Sequence, residues 1–353
     1  MKICYFGIYN PDFSRNKVYI KALEKAGHSI ILCNDTSPGF LKYIRLWQKH
    51  RSIRNQYDVM IVGYPGHIVV PWAKFWSKKP VIADALGSLY DAEVHSHKPS
   101  FFRKIKSFLA DYFLVKWADK ILLESVCQKK YFEEKFGNSN KYEVIYTGVD
   151  ERFEEFEKNK SEISDGKFLV VFRGKLTPES GIIYILKAAE ILKGNKNIAF
   201  RIIGGGYLLS QTEDFIKEHN LLNVDLISRY LSLEELITMT SEANLMLGQF
   251  ENNSRLNRTI PHKAFEAFAL GIPYLTGEAP AVKELVEEGV NAFLVPISDS
   301  VALANKIKFL SNEPELLCEV AKKARKSFDE VCSSKALSEK ISKIMLQFPN
   351  GKN

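Results

Sequence analysis

The residues of this chain best suited to chemistry are one carboxylate and a few cations. Glu266 lies in Ile260-Pro261-His262-Lys263-Ala264-Phe265-Glu266-Ala267-Phe268-Ala269-Leu270-Gly271-Ile272-Pro273. That string reads as a loop, a short helix, a glycine stop and a proline that cannot continue the helix. A carboxylate held near the start of such a helix can accept both hydroxyls of a ribose, as acidic residues do in dinucleotide folds. Taken alone, Glu266 is equally compatible with an exposed position on an amphipathic helix. Arg173 and Lys175 flank Gly174 in Phe172-Arg173-Gly174-Lys175-Leu176-Thr177-Pro178-Glu179-Ser180-Gly181. Here a strand ends, a glycine turns the chain, and a helix starts near Gly181. Two cations beside a helix N-terminus suit a diphosphate.

Other candidates sit at further strand ends. Gly204-Gly205-Gly206-Tyr207 is a second glycine turn. A G-x-G-x-x-G fingerprint would need glycine at 209, where Leu209 stands, so a tight turn beside a base or sugar fits at least as well as a nicotinamide site. Gly7 closes the first strand, and Asn10 and Arg15 follow it. Asp84, Ser88, Tyr90 and Asp91 leave a later strand together. Asp and Ser also favour caps and turns, so each of these has a structural reading beside the functional one. His95 and His97 lack a partner at metal-ligand spacing and read as loop residues. Nothing matches a nucleophile elbow, a Walker loop or an HExxH helix.

The elements that would position these groups alternate. Strands are predicted over Lys2–Gly7, Ser29–Cys33, Asp58–Val62, Val81–Ala83, Lys120–Glu124 and Glu143–Tyr146, and a helix over Asn16–Lys25. A polar stretch, Glu151–Lys167, reads as a linker. Strands then recur at Phe168–Phe172, Ile198–Ile203, Val224–Ile227, Leu245–Leu247, Tyr274–Thr276 and Phe293–Val295. The helices between them are Gly181–Lys193, Leu208–His219 and Leu233–Glu242, and Pro314–Lys326 and Ser334–Leu346 close the chain. Such alternation implies right-handed crossovers and parallel sheets. The fold class expected is α/β: two Rossmann-like, doubly wound domains, residues 1–155 and 165–330, facing a central cleft. A C-terminal helix at about 333–350 is expected to pack back on the first domain.

Bulk properties agree with two domains, since 353 residues exceed the roughly 250–300 that one core sustains. Five scattered cysteines without a CxxC pair argue against a disulfide framework and for a reducing compartment. The N-terminus does not read as a signal peptide, and no run of about 18 apolar residues occurs. The net charge of +7 is uneven: residues 1–150 hold 23 Lys and Arg against 14 Asp and Glu. This suggests an anionic partner, phosphate or acidic membrane, with plain solubility as the alternative. Phe40–Arg54 and Phe101–Trp117 mix aromatic and basic residues as interfacial helices do, although aromatic stripes more often pack in cores.

The order of motifs resembles a family 4 (retaining) glycosyltransferase of the GT-B fold. Gly174-Lys175-Leu176-Thr177-Pro178-Glu179-Ser180-Gly181 is similar to that family's phosphate loop, and Gly204-Gly205-Gly206-Tyr207 to its nucleotide-side turn. The segment from His262 to Pro273 resembles its donor helix. Glu288-Gly289-Val290-Asn291-Ala292-Phe293-Leu294-Val295 and Tyr146-Thr147-Gly148-Val149-Asp150 match in order as well. Two departures stand out. Arg258 occupies the place of the first of two glutamates, and Ser180 that of the lysine before the loop glycine.

The resemblance implies transfer of a hexose-type sugar from a nucleotide diphosphate sugar to a glycan or lipid-linked acceptor, with retention. Glu266 would hold the ribose, and Arg173 and Lys175 would neutralise the leaving diphosphate, with no cofactor and no metal. Gly174, Gly204, Gly205, Gly206, Tyr207, Lys263 and Arg258 complete the donor side. Asp84 is a further catalytic candidate; Gly7, Asn10, Arg15, Ser88, Tyr90 and Asp91 form the acceptor side. The expected setting is cytoplasmic, at the anionic inner face of a membrane, with no nucleic-acid partner. A non-catalytic GT-B protein that binds nucleotide sugar or glycan is the alternative that Arg258 and Ser180 motivate. A sugar-nucleotide epimerase shares the architecture, but the acid/base set it would need is not evident.

Overall fold

The computed structural model describes residues 1–96, 100–156 and 166–348. His97 and most of the expected linker, including Lys158, Lys160 and Glu162, lie outside the described residues. The chain divides into two compact units, Met1–Asp150 with Val331–Asn353, and Glu151–Glu330.

In the first unit the order is β1 (Lys2–Gly7), α1 (Ser14–Lys25), β2 (Ser29–Asn34), α2 (Leu41–Ile53), β3 (Val59–Val62), α3 (Val70–Trp76), β4 (Val81–Leu86), α4 (Leu89–Ser96), α5 (Phe101–Trp117), β5 (Lys120–Leu123), α6 (Val126–Phe136) and β6 (Tyr142–Val144). The second unit contains α7 (Glu151–Glu155), β7 (Phe168–Arg173), α8 (Ile182–Ile191), β8 (Ile198–Ile203), α9 (Leu209–Glu218), β9 (Val224–Ile227), α10 (Leu233–Ser241), β10 (Leu245–Leu247), α11 (His262–Ala269), β11 (Tyr274–Gly277), β12 (Phe293–Val295), α12 (Ser300–Leu310) and α13 (Pro314–Val331). The chain then returns to the first unit as α14 (Ser334–Met345). The segment read as a linker therefore opens as a helix of the second unit. Among the described residues no helix is long and apolar enough to cross a membrane.

Both sheets are parallel and six-stranded, in the orders β2-β1-β3-β4-β5-β6 and β12-β11-β10-β7-β8-β9. Alternate side chains of a strand point to opposite faces, so each strand of the first sheet feeds two cores. Cys4, Phe6, Met60 and Val62 pack with residues of α2, α3, α5 and α6. Ile3, Tyr5, Val59 and Ile61 face α1 and α14 through Val18, Leu23, Leu337 and Ile341. In the second unit Phe172, Ile202 and Leu247 share one core with Ile185, Leu186, Leu303 and Ile307.

One expected pair of site residues belongs to this packing. Arg15 and Asp84 are 1% and 0% exposed. Arg15 Nε donates to both Asp84 oxygens at 2.9 Å, Nη1 donates to Thr147 Oγ1 at 3.1 Å, and the guanidinium lies 4.5 Å from the centre of the Tyr19 ring. The pair ties α1 to β4 and to the segment after β6. Asp84 is thus a structural carboxylate and not a catalytic one, and Arg15 is not on an acceptor surface. Removing one partner strands a buried charge, which costs about 3–5 kcal/mol. Arg15→Ala is expected to lower the unfolding free energy of the first unit by that order, read as a lower denaturant midpoint. Adding Asp84→Asn should restore part of the loss. An undisturbed midpoint in the single variant would show that the pair does not hold the fold.

Candidate functional site

In the second sheet β7 lies between β10 and β8, so the strand order reverses beside it. Ligands of open parallel sheets bind outside the strand ends at such a reversal. Arg173 is the last residue of β7. Its Nη2 lies 3.1 Å from Glu266 Oε1, which His262 Nδ1 also approaches, at 3.0 Å. Glu266 is the fifth residue of α11 and 1% exposed, so the surface reading fails. Burial pushes its carboxyl up, but Arg173, His262 and Lys263 outweigh this and hold it below the usual carboxylate range. Its second oxygen, Oε2, is buried without a hydrogen-bond partner.

Lys263 is the less expected member. It is 7% exposed, one turn from Glu266, and no hydrogen bond or ion pair holds its ammonium among the described residues. Its Nζ lies 4.7 Å from the centre of the Phe172 ring. Burial and then the neighbouring Arg173 bring its pKa down to about 8, against the opposing pull of Glu266. It also sits in the first turn of α11, where the helix dipole disfavours a cation. Lys175 is exposed on the adjacent loop. The site therefore carries more positive charge than the one carboxylate can answer.

The glycines bring these groups together through backbone contact. A Cβ at Gly204 would stand 1.9 Å from the Gly174 carbonyl oxygen, and one at Gly206 would stand 2.9 Å from that of Leu176. Gly174 N donates to Ile203 O and Leu176 N to Gly205 O, both at 2.9 Å. The loops leaving β7 and β8 are thereby joined along their length. Gly205 lies in the same run, and Tyr207 beyond it is 82% exposed. Ser180 is a turn residue: its hydroxyl donates to Thr177 O at 2.6 Å, and it is 1% exposed. Arg258 lies on a 3-10 turn, Leu256–Arg258, ahead of α11.

Most acceptor-side candidates of the first unit serve the fold. Ser88 Oγ donates to Asp111 Oδ2 at 2.6 Å and accepts from Asp91 N at 3.0 Å. Asp111 also accepts from Leu89 N and Tyr90 N. It caps α4 from α5, a role invisible in sequence because 23 positions separate it from Ser88. Ser88 and Asp91 are buried, and the Tyr90 ring packs against Phe108. His95 is not a loop residue; it lies on α4, 3.4 Å from Asp91. Asn10 is exposed and bonds Asp12 N within its own turn, and Gly7 has φ +137° at the end of β1. Sequence reading also missed Leu86, whose φ of 59° at a bulge of β4 is strained for a leucine.

Residues 153–327 match the family model described as Glycosyl transferases group 1. The second unit is a glycosyl transferases group 1 domain. An uncharacterized glycosyltransferase of Haemophilus influenzae is 25% identical over 238 residues, 65% of this chain and 62% of the relative. A putative colanic acid biosynthesis glycosyltransferase, WcaL of Salmonella typhimurium, is 26% identical over 48% of this chain and 43% of its own length. The chain thus spans less than two thirds of the length of these curated relatives. Among solved structures, Anabaena HepE in complex with UDP-glucose superposes with a TM-score of 0.76 at 17% identity, covering 98% of this chain and all of the other. Sucrose-phosphate synthase from Thermosynechococcus elongatus gives 0.78 at 15% identity, over 98% of each chain. These likenesses are to the fold, two Rossmann-like units of the GT-B type.

In this glycosyl transferases group 1 domain the residues brought together are Arg173, Gly174, Lys263 and Glu266, with the Gly204–Gly206 run against the loop beneath them. His262 was missed, although its i,i+4 spacing to Glu266 is a helix-pair signal. The unpaired ammonium generates a stability prediction. Lys263 is depressed in the folded state, so the unfolded chain holds more protons between about pH 8 and the ordinary lysine range, and stability rises with pH across that window. Lys263→Met should raise the melting temperature of the ligand-free domain at pH 7. It should also abolish the excess rise that the native chain shows from pH 8 to pH 10. Equal pH slopes in the two proteins would mean that Lys263 is not buried as a cation.

Proposed function

We propose that this protein transfers a sugar from a nucleotide diphosphate sugar to a glycan or lipid-linked acceptor, with retention of configuration. The observation that carries the reading is the buried, unpaired Lys263 beside Arg173 and Glu266. An ammonium without a counterion is costly unless an anion arrives. A diphosphate supplies that anion, and a ribose supplies the hydroxyl donors that Glu266 Oε2 lacks. Negative charge develops on the diphosphate as the glycosidic bond breaks. Arg173, Lys175 and Lys263 would stabilise it from positions fixed before the reaction. HepE was crystallised with UDP and UDP-glucose, which makes these the first ligands to try. Relatives named for colanic acid and amylovoran biosynthesis support a saccharide acceptor. Retention follows from the resemblance in motif order.

Isothermal titration with UDP tests the donor site. Glu266→Gln is expected to weaken binding about 10- to 100-fold, the range for a hydrogen bond to a charged group. Affinity should fall above pH 8, and titrations in two buffers of different ionisation enthalpy should show proton uptake by Lys263 on binding. Unchanged affinity in Glu266→Gln would remove the ribose role. Incubation with UDP-sugars and glycan acceptors, read by the anomeric configuration of the product, tests transfer. Ser180 and Arg258 favour one other reading, a binding protein without turnover. It would show donor affinity with neither transfer nor hydrolysis.

A further inference from the structure

The first unit carries an apolar surface that its own core does not use. On α2 the inward residues are Leu46 and His50, yet a second stripe, Phe40, Ile44 and Trp47, faces outward at helical spacing. Across from it stand Ile68, Trp72 and Trp76, before and along α3. These six residues line a groove of about 640 Å³, within the roughly 300–1,000 Å³ of small-molecule sites. Trp72 is 51% exposed and Phe40 73%, where a monomer would ordinarily cover such side chains. Helix α5, which packs against α3, carries further exposed apolar residues, Phe101, Phe102 and Ile105.

Cations dominate the charge around this surface, although Lys49 pairs with Asp35, Lys74 with Asp119 and Arg103 with Glu93. Helices α2 and α3 contain Lys42, Arg45, Lys49, Arg51 and Lys74 and no Asp or Glu. The only carboxylate on α5, Asp111, is turned inward and fully buried. Lys42, Lys104 and Lys106 have no ion-pair partner among the described residues. The Arg51 guanidinium stacks 5.5 Å from the centre of the Trp47 ring. Aromatic rings among cations match the interface of an anionic leaflet, whose negative potential draws Lys and Arg.

We propose that the groove between α2 and α3 holds one hydrocarbon chain of an anionic membrane lipid, with Lys42 and the α5 lysines on the headgroup layer. The inference stands apart from the transfer reaction and needs no sugar donor. The chain has four tryptophans, and three of them, Trp47, Trp72 and Trp76, line the groove. Their fluorescence therefore reports occupancy. Full-length protein is mixed with vesicles of phosphatidylcholine and phosphatidylglycerol brominated in the acyl chains. Strong quenching is expected, and little with phosphatidylcholine alone. Ile44→Asp should abolish the quenching while leaving the thermal unfolding transition and far-UV circular dichroism of the protein unchanged, which shows that the variant folds. Replacing Lys42, Lys104 and Lys106 by Gln should reduce vesicle partition about fivefold per charge. Vesicle binding without quenching would overturn the groove assignment, as would equal binding to neutral vesicles. Shielding of the tryptophans that grows with protein concentration, without lipid, would assign the face to a second copy of the chain.

Discussion

The site at the end of β7 turns on one buried charge that no ion pair among the described residues holds. The Glu266 carboxylate is shared by Arg173 and His262, so Lys263 is left as a buried ammonium over the face of Phe172 and against Gly174, without a hydrogen bond or ion pair of its own among those residues. A desolvated cation–π contact returns about 2 kcal/mol, against several kcal/mol for the desolvation of an ammonium. Placement in the first turn of α11 adds a further penalty. Nothing in the packing of the second unit requires a lysine here: the flanking Ala264, Phe265, Ala267 and Phe268 are core residues. An apolar side chain would serve the fold better. Such a residue makes physical sense where a ligand supplies the missing negative charge.

The glycine geometry explains how that charge is kept in place. Loops leaving parallel strands usually have freedom to move, yet those after β7 and β8 are joined by backbone hydrogen bonds at separations that admit no Cβ. Ser180 and the left-handed Gly181 fix the turn into α8 in the same way. On the proposed reading Arg173 and Lys263 would meet a ligand from positions already set, which is what makes fixed charges effective when charge develops during bond breaking. The run Gly204-Gly205-Gly206 is in this sense a packing device before it is a binding motif.

Much of this could be read in the sequence, and the failures share a cause. Strand runs such as Phe168–Arg173 and the stop at Gly271 follow from periodicity and local backbone preference, which are short-range properties. Glu266 also stood out, because loop, helix and stop were contiguous. Asp84 was misread because polarity at a strand end looks the same whether the side chain faces solvent or the core. Its partner Arg15 lies 69 positions away, and only the fold brings them together. Asp111 escaped notice for the same reason. The short helices α3 and α4 were missed since seven or eight residues hold too little period to tell from a loop. Lys263 could be named from its motif, but its burial without a partner is a three-dimensional fact.

The uneven charge of the two halves takes on a different meaning once these positions are known. The excess of cations in residues 1–150 does not gather at the ends of the first sheet, where Arg15 is neutralised by Asp84 and Ser88 and Asp91 serve as caps. Much of it lies on the outer faces of α2, α3 and α5, among aromatic rings that the core leaves exposed. In the second unit acidic residues outnumber basic ones, 27 to 22, yet local burial makes one ammonium count for more than any surface lysine. Charge in the first unit is thus spread over a surface and suits an extended anionic partner. Charge in the second is concentrated at a point and suits a small one. The two patterns belong to different units of the chain and differ in kind, one a matter of distribution over a surface and the other of burial at a point.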